Sequence, residues 1–134
     1  MKLLNGVALE ASEREAFARG LFVVAAGDGV DDREEALIER FGEESGAAPG
    51  LAARIAELPR ITGEELAAAV ADGDKRLLFL KLALILARAD GRVSLRENRA
   101  VLEFVLALGL RLGAVEQLEL EADAWVRADL ARGS

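Results

Sequence analysis

The stretch LLFLKLALILARADGRVSLREN, residues 77–98, decides how the rest of the sequence is read. Its first ten residues include one charged side chain, that of Lys81, so a helix there is apolar on nearly every side and belongs at the centre of a fold. An Asp-Gly pair ends this helix at Asp90, and Ser94 with Glu97 then has the capping-box spacing that opens the next helix. An anion at a helix C-terminus costs about 0.3–1 kcal/mol. Asp90 is therefore either a surface residue without a role or a residue with a cation beside it.

The stretch LFVVAAGDGVDDREEALIERF, residues 21–41, repeats this pattern. It also runs from an apolar helix through Asp-Gly, a valine, a polar N-cap and an acidic turn into an amphipathic helix that ends in phenylalanine. With a one-residue gap, the aligned pairs are Asp28 with Asp90, Asp31 with Ser94, Glu34 with Glu97 and Phe41 with Phe104. Without the gap, Asp32 and Glu35 take the places of Asp31 and Glu34. The gapped alignment is preferred because it also matches the valines and both phenylalanines.

The whole chain of 134 residues is typical of an all-α protein, because strong helix formers dominate and no stretch alternates with period two. We predict one compact domain over residues 1–134, with its core over about 10–131. Its seven predicted helices cover about residues 12–27, 31–41, 50–58, 62–72, 74–89, 95–108 and 114–131. Capping boxes at Ser12-x-x-Glu15 and Thr62-x-x-Glu65 mark two helix starts. We expect Leu58 and Leu130 to face inward.

Composition excludes several kinds of site. The chain has no cysteine and no histidine, which removes disulfides, thiolate nucleophiles and the commonest general base. The net charge of −7 argues against a nucleic-acid ligand and against direct attraction to anionic lipid. The longest apolar run is far shorter than the roughly 20 residues of a membrane span. The apolar start of the chain is interrupted too early for a secretory signal, so we expect a cytoplasmic protein.

The oxygen donors left at the two Asp-Gly junctions favour a hard divalent cation, namely Ca²⁺, Mg²⁺ or Mn²⁺. The spacing of seven residues from Asp to Glu differs from that of an EF-hand loop, and one repeat supplies too few ligands for a full shell. We therefore expect a shared site if packing brings the repeats together. Its candidate ligands are Asp28, Asp31, Asp32, Glu34, Glu35, Asp90, Ser94 and Glu97. Helix capping alone explains all of these except the two aspartates before glycine.

The phrase ADG-x-V-S-x-x-E after a hydrophobic helix, with its second copy, resembles the TerB-like family of tellurite-resistance proteins over about residues 10–131. The resemblance implies a compact, internally duplicated helical domain. It implies a divalent-metal site made from Asp28, Asp31 or Asp32, Glu34 or Glu35, Asp90 and Glu97. It also implies a role in the response to tellurite or other chemical stress, through protein partners at or near the membrane.

Three functions follow as expectations. The first is a non-enzymatic, metal-responsive interaction module. The second is a helical adapter in which the junctions serve only as turns. The third is metal-assisted hydrolysis by paired carboxylates, for which the sequence offers no nucleophile or base beyond the same few acids. A deep polar pocket over Asp90 would favour the third function.

Overall fold

The computed structural model describes residues 3–4, 6–25, 31–88 and 95–133, with the backbone alone for residues 95–98 and 131–133. These ranges hold seven helices and no strand, so the all-α prediction is confirmed. The helices are α1 (Ala11–Ala25), α2 (Asp32–Ser45), α3 (Leu51–Ala56), α4 (Gly63–Ala69), α5 (Gly73–Arg88), α6 (Leu95–Ala107) and α7 (Leu112–Gly133). None of the described helices is both long and apolar enough to cross a membrane.

The start of α1 differs from the prediction. Ser12 is the second residue of the helix rather than its cap, so the predicted Ser12–Glu15 capping box is wrong. The carbonyl of Glu10 accepts the first helical hydrogen bond, and the backbone N–H of Glu10 donates to Glu13 Oε1 at 2.9 Å. A second partner, Lys75, also contacts the Glu13 carboxylate, with Nζ 2.9 Å from Oε1.

Helix α2 is longer than predicted because Gly42 lies inside it rather than in a loop. A Cβ at Gly42 would come within 2.9 Å of Leu51 Cδ2, so glycine lets α3 approach α2 closely. Helix α2 ends instead at Gly46, which has φ of +86°. Helix α3 ends at Ala56, which leaves Leu58 outside the helix and 40% exposed rather than inward. Leu130 of α7 is also wrongly predicted, since it is 60% exposed.

Helix α5 occupies the centre, as its sequence predicts. Eight of its residues from Phe79 to Ala87 are buried, and the helix packs against α1, α6 and α7. The predicted capping box of α4 is confirmed, with Thr62 Oγ1 accepting from the N–H of Glu65 at 3.1 Å and Glu65 Oε1 accepting from the N–H of Thr62 at 3.0 Å. The hydrogen bond from the backbone N–H of Thr62 lowers the pKa of Glu65.

The two repeats make several equivalent contacts in the core. Helix α5 starts a fixed number of residues after α1, and helix α6 starts one residue more than that after α2. The one-residue gap in the alignment requires this difference. Phe17 of α1 packs on Phe41 of α2 at 5.9 Å between ring centroids, and Phe79 of α5 packs on Phe104 of α6 at 5.4 Å. Phe17 and Phe79 meet each other at 5.5 Å and join the two halves into one core.

Polar contacts repeat at equivalent positions. Arg14 of α1 donates to the carbonyl of Ser45 at the end of α2, and Arg76 of α5 donates to the carbonyl of Leu108 at the end of α6. A left-handed glycine follows each of these helix ends, and the gapped alignment pairs the two glycines with each other. They are Gly46 and Gly109, with φ of +86° and +67°. These matching helix ends are independent support for the gapped alignment of the repeats.

Candidate functional site

The first acidic junction lies at the start of α2. Asp31 is the N-cap in an extended conformation, and its Oδ1 accepts the N–H of Glu34 at 2.8 Å. Glu34 Oε1 accepts the N–H of Asp31 at 3.2 Å in return, which completes a capping box. Glu34 is 3% exposed. The geometry selects Asp31 and Glu34 as the capping pair.

Asp32 and Glu35, the alternative pair, are both exposed on the first turn of α2. With Glu34 they give this turn three acidic residues, which interact favourably with the positive end of the helix dipole. Their side chains face solvent, so neither fills the capping position that the ungapped alignment assigned to them.

The second junction lies mostly outside the described residues. Asp28, Asp90 and Ser94 belong to the undescribed ranges, and Glu97 lies in the first turn of α6 where only the backbone is described. Helix α6 begins at Leu95, directly after Ser94. The predicted ligand roles of these four residues therefore stay predictions.

Helices α1 and α5 lead towards the two junctions side by side. Lys75 Nζ lies 2.9 Å from Glu13 Oε1 near the start of both helices, and Phe17 meets Phe79 one turn further on. Beyond that, Leu21 of α1 lines a small cavity together with residues of α5, namely Leu82, Ile85 and Leu86. The two helices thus run in the same direction. Glu13 and Lys75, like Phe17 and Phe79, are separated in the sequence by the same number of residues as Asp28 and Asp90.

The ion pair at the start of these helices is a contact between the repeats that sequence reasoning missed. The backbone hydrogen bond from Glu10, followed by the hydrogen bond from Lys75, lowers the pKa of Glu13. The hydrogen bond to Glu13 raises the pKa of Lys75. The repeat offset was the signal that could have found this pair, because extending the alignment upstream sets Glu13 opposite Lys75.

An open groove of about 300 Å³ lies between α2 and α7, with Ile85 of α5 among its lining residues. Arg40 of α2 reaches across to α7, with Nη1 3.2 Å from Asp129 Oδ1 and its guanidinium 5.1 Å from the centroid of the Trp125 ring. The described lining is otherwise largely apolar and holds no hydroxyl or amine nucleophile.

Among the described residues, no group of three or more acidic side chains is close enough to hold a metal ion. The described acidic side chains of the first junction, taken without Asp28 and the second junction, therefore do not make a complete site.

Comparison with known protein families finds no match for this chain, and comparisons with curated proteins and with solved structures likewise find none. The resemblance to the TerB-like family therefore rests on the sequence motifs alone and stays a prediction.

Proposed function

We propose that this chain is a non-enzymatic, TerB-like helical module that holds one divalent cation between its two acidic junctions. Cation binding stabilises the paired repeats and presents the module to a protein partner in a cytoplasmic stress response, with tellurite as one candidate stress. The candidate cations are Ca²⁺, Mg²⁺ and Mn²⁺, because every donor at the junctions is an oxygen. Asp28, Asp90 and Glu97 are the proposed ligands, with Asp31, Glu34 and the hydroxyl of Ser94 as further candidates from the same junctions.

The main support for this proposal is that α1 and α5 run parallel to each other. Two helices that run side by side in the same direction deliver their C-terminal ends to the same end of the molecule, as a shared site requires. Each end carries a partial negative charge, and an aspartate follows each helix in the sequence. Each aspartate is repelled by the negative end of the helix before it, and a cation between the two helix ends would offset this repulsion at both. This is a physical reason for two matching aspartates at these positions.

Thermal unfolding with and without cation tests the proposal. The purified chain is melted with a chelator, and then with Ca²⁺, Mg²⁺ and Mn²⁺ in turn. An ion at about 100 times its dissociation constant adds about 2.7 kcal/mol to the free energy of unfolding. For a chain of this size we expect the melting midpoint to rise by roughly 10 °C.

Two variants make the test specific. Asp90→Asn removes a proposed ligand and should abolish the cation-dependent rise in the midpoint. Asp74→Asn makes the same charge change at an exposed position in the first turn of α5, at the opposite end of that helix, and should leave the rise intact. A midpoint that no ion changes, with an Asp90→Asn protein as stable as the parent, would contradict the metal site.

The helical adapter without metal is the alternative, and the capping box at Asp31 and Glu34 favours it. That box gives both residues a structural role that needs no ion. The adapter hypothesis predicts an Asp31→Ala protein that is less stable by the same amount in chelator and in cation. The module hypothesis predicts a larger loss of stability when the cation is present.

A further inference from the structure

Two open pockets on one side of the molecule adjoin each other. The larger, of about 450 Å³, lies between the start of α1 and α3, and the smaller, of about 100 Å³, lies between α1 and the loop after α3. Ile55 and Leu58 line both pockets, and Leu58 is 40% exposed. The two pockets therefore share an aliphatic floor, part of which is open to solvent.

This surface is basic, although the chain as a whole has a net charge of −7. Glu15 is the only acidic residue among the described residues that line the two pockets. Four arginines line the same pockets. Together with Ile55 and Leu58 they form what we call the arginine face, and they are Arg14, Arg19, Arg54 and Arg60. A local excess of positive charge on an acidic protein attracts an anionic ligand to this face in particular.

Backbone carbonyls, rather than carboxylates, hold these arginines in place. Arg14, Arg19 and Arg54 each donate to one or two carbonyls, at 2.6–2.9 Å. None of the four arginines forms an ion pair with a carboxylate of the described residues. A neutral carbonyl leaves the positive charge in place, and a guanidinium has more N–H donors than these bonds use. The arginine face therefore keeps both charge and donors for the carboxylates of a ligand.

We propose that the arginine face is a docking site for an acidic segment of a partner protein, in which a large aliphatic residue is flanked by Asp or Glu. The aliphatic side chain packs on Ile55 and Leu58, and the flanking carboxylates pair with the guanidinium groups. Charge-assisted bonds between arginine and carboxylate supply geometric specificity as well as affinity. The proposal names a partner class for the module proposed above, and it does not require the bound cation.

The size of the arginine face distinguishes this occupant from other anions. A nucleic acid or an anionic membrane presents a wide negative surface, which the acidic residues elsewhere on this chain would repel. An inorganic anion would leave the exposed part of Leu58 uncovered. A short acidic segment with an aliphatic side chain satisfies the charge and the apolar floor together.

The first test is selection of a displayed library of short random peptides on the immobilised parent chain, in chelator and at low salt. We expect enrichment of sequences with Leu, Ile or Met between acidic residues. A synthetic peptide of the enriched sequence should then bind the chain saturably in solution. Enrichment of no sequence, or of sequences without this pattern, would overturn the proposal. The chelator makes the result independent of the thermal test for the cation.

Two variants test the charge and the floor separately. Arg60 and Leu58 are exposed, and Arg60 makes no hydrogen bond among the described residues, so Arg60→Gln and Leu58→Ser should keep the melting midpoint of the parent. Arg60→Gln should weaken binding of the selected peptide about fivefold through the loss of one ion pair. Leu58→Ser should weaken it by a similar factor, because less apolar area is buried.

Matched variants on α7 control for non-specific attraction. Arg127→Gln and Leu112→Ser make the same changes at exposed positions away from the arginine face and should leave the peptide affinity unchanged. Equal losses in these controls, or an affinity that Leu58→Ser does not change, would show general attraction of acidic chains and overturn the proposal.

A second copy of the chain is the alternative occupant. Leu120 of α7 is 65% exposed and lies beside Glu119 and one turn from Glu116, so α7 itself carries an acidic, aliphatic surface. We expect the parent chain to sediment as a monomer at the concentrations used for peptide binding. Self-association that Arg60→Gln and Leu120→Ser each abolish would overturn the partner protein in favour of a second copy.

Discussion

In the first half of the molecule Phe17 stacks on Phe41 with their rings 10° from parallel, whereas in the second half Phe79 meets Phe104 edge-on at 84°. Both pairs join equivalent positions of the repeat, so the contact is kept while its geometry changes. The covering elements differ as well: α3, Leu3 and Leu4 cover the first half, α7 covers α5 of the second, and α4 packs between α1 and α6. The comparison shows that the repeated helices share their directions and their core positions. The elements outside the repeat differ, and they determine which surfaces of the repeated helices are covered.

The largest expected effect comes from the contact that joins the two halves. Phe17→Ala and Phe79→Ala should each lower the free energy of unfolding by about 3–5 kcal/mol, because both rings are fully buried and leave a cavity. Denaturant unfolding of the two variants measures this cost. Phe22→Ala removes a partly buried ring from α1 and is the matched control. If the Phe79→Ala protein were as stable as the Phe22→Ala protein, this would contradict a core shared between the two halves.

A smaller effect should separate the two equivalent arginines. Arg76 donates to three carbonyls, those of Val70 at 2.6 Å, Ala67 at 2.8 Å and Leu108 at 3.2 Å, whereas Arg14 donates to that of Ser45 at 2.8 Å. Arg76→Met leaves more acceptors without a partner and should cost about 2–4 kcal/mol, against about 1 kcal/mol for Arg14→Met. Chemical denaturation of both proteins checks the difference. Equal costs would show that the extra carbonyl contacts of Arg76 contribute little.

The ion pair between the halves should appear in the pH dependence of stability. The pKa of Glu13 is lowered in the folded protein, so its ionised form stabilises the fold above 4.5 and this contribution is lost as the pH falls through the folded pKa. The pKa of Lys75 is raised, so its contribution is present below 10.5 and is lost as the pH rises through the folded pKa.

Unfolding of the parent and of Glu13→Gln across the acid range measures the first of these contributions. We expect the parent to lose its advantage over the variant as the pH falls below 4.5. Glu15→Gln is the control on the same helix, because Glu15 lies two residues away and makes no ion pair among the contacts of the described residues. If the stability of the Glu13→Gln protein depended on pH in the same way as that of the parent, the ion pair between the halves would contribute nothing measurable to stability.

The smallest effect distinguishes the two alignments of the first junction. Asp31→Ala removes the side chain that accepts the N–H of Glu34 and should cost about 1 kcal/mol. Asp32→Ala alters an exposed first-turn residue and should change stability by less than about 0.5 kcal/mol. Thermal unfolding of the two proteins in chelator compares them without any contribution from bound metal. The reverse order would favour the ungapped alignment.

Much of the fold could be predicted from local sequence signals, and the errors have physical causes. The apolar stretch of α5 and the box at Thr62 were sufficient for correct predictions because burial and capping depend on nearby residues. The predicted start of α1 was wrong because the backbone N–H of Glu10 is satisfied by Glu13, so the helix begins one residue before Ser12 and does not use the Ser12 side chain as its cap. The extension of α2 through Gly42 was also missed, since the close approach of Leu51 is a tertiary contact.

The candidate site could be predicted only in part. The sequence identified Asp31 and Glu34 as one of two pairs for the first junction, and the geometry selects this pair. The apolar pattern within α1 or α5 does not show in which direction one helix runs relative to the other. The constant sequence separation between the two repeats could have indicated that the helices are parallel. The two helices belong to different repeats, are distant in sequence and run parallel to each other.

The most direct test of the central claim is calorimetric titration of the chain with the cation that stabilises it. A site shared by the two repeats predicts one ion per chain, and Asp28→Asn or Asp90→Asn alone should abolish high-affinity binding. Two ions per chain, with one lost in each single variant, would show that the junctions bind independently. No heat of binding with Ca²⁺, Mg²⁺ or Mn²⁺ at several temperatures would contradict the cation site and leave the helical adapter as the function of this domain.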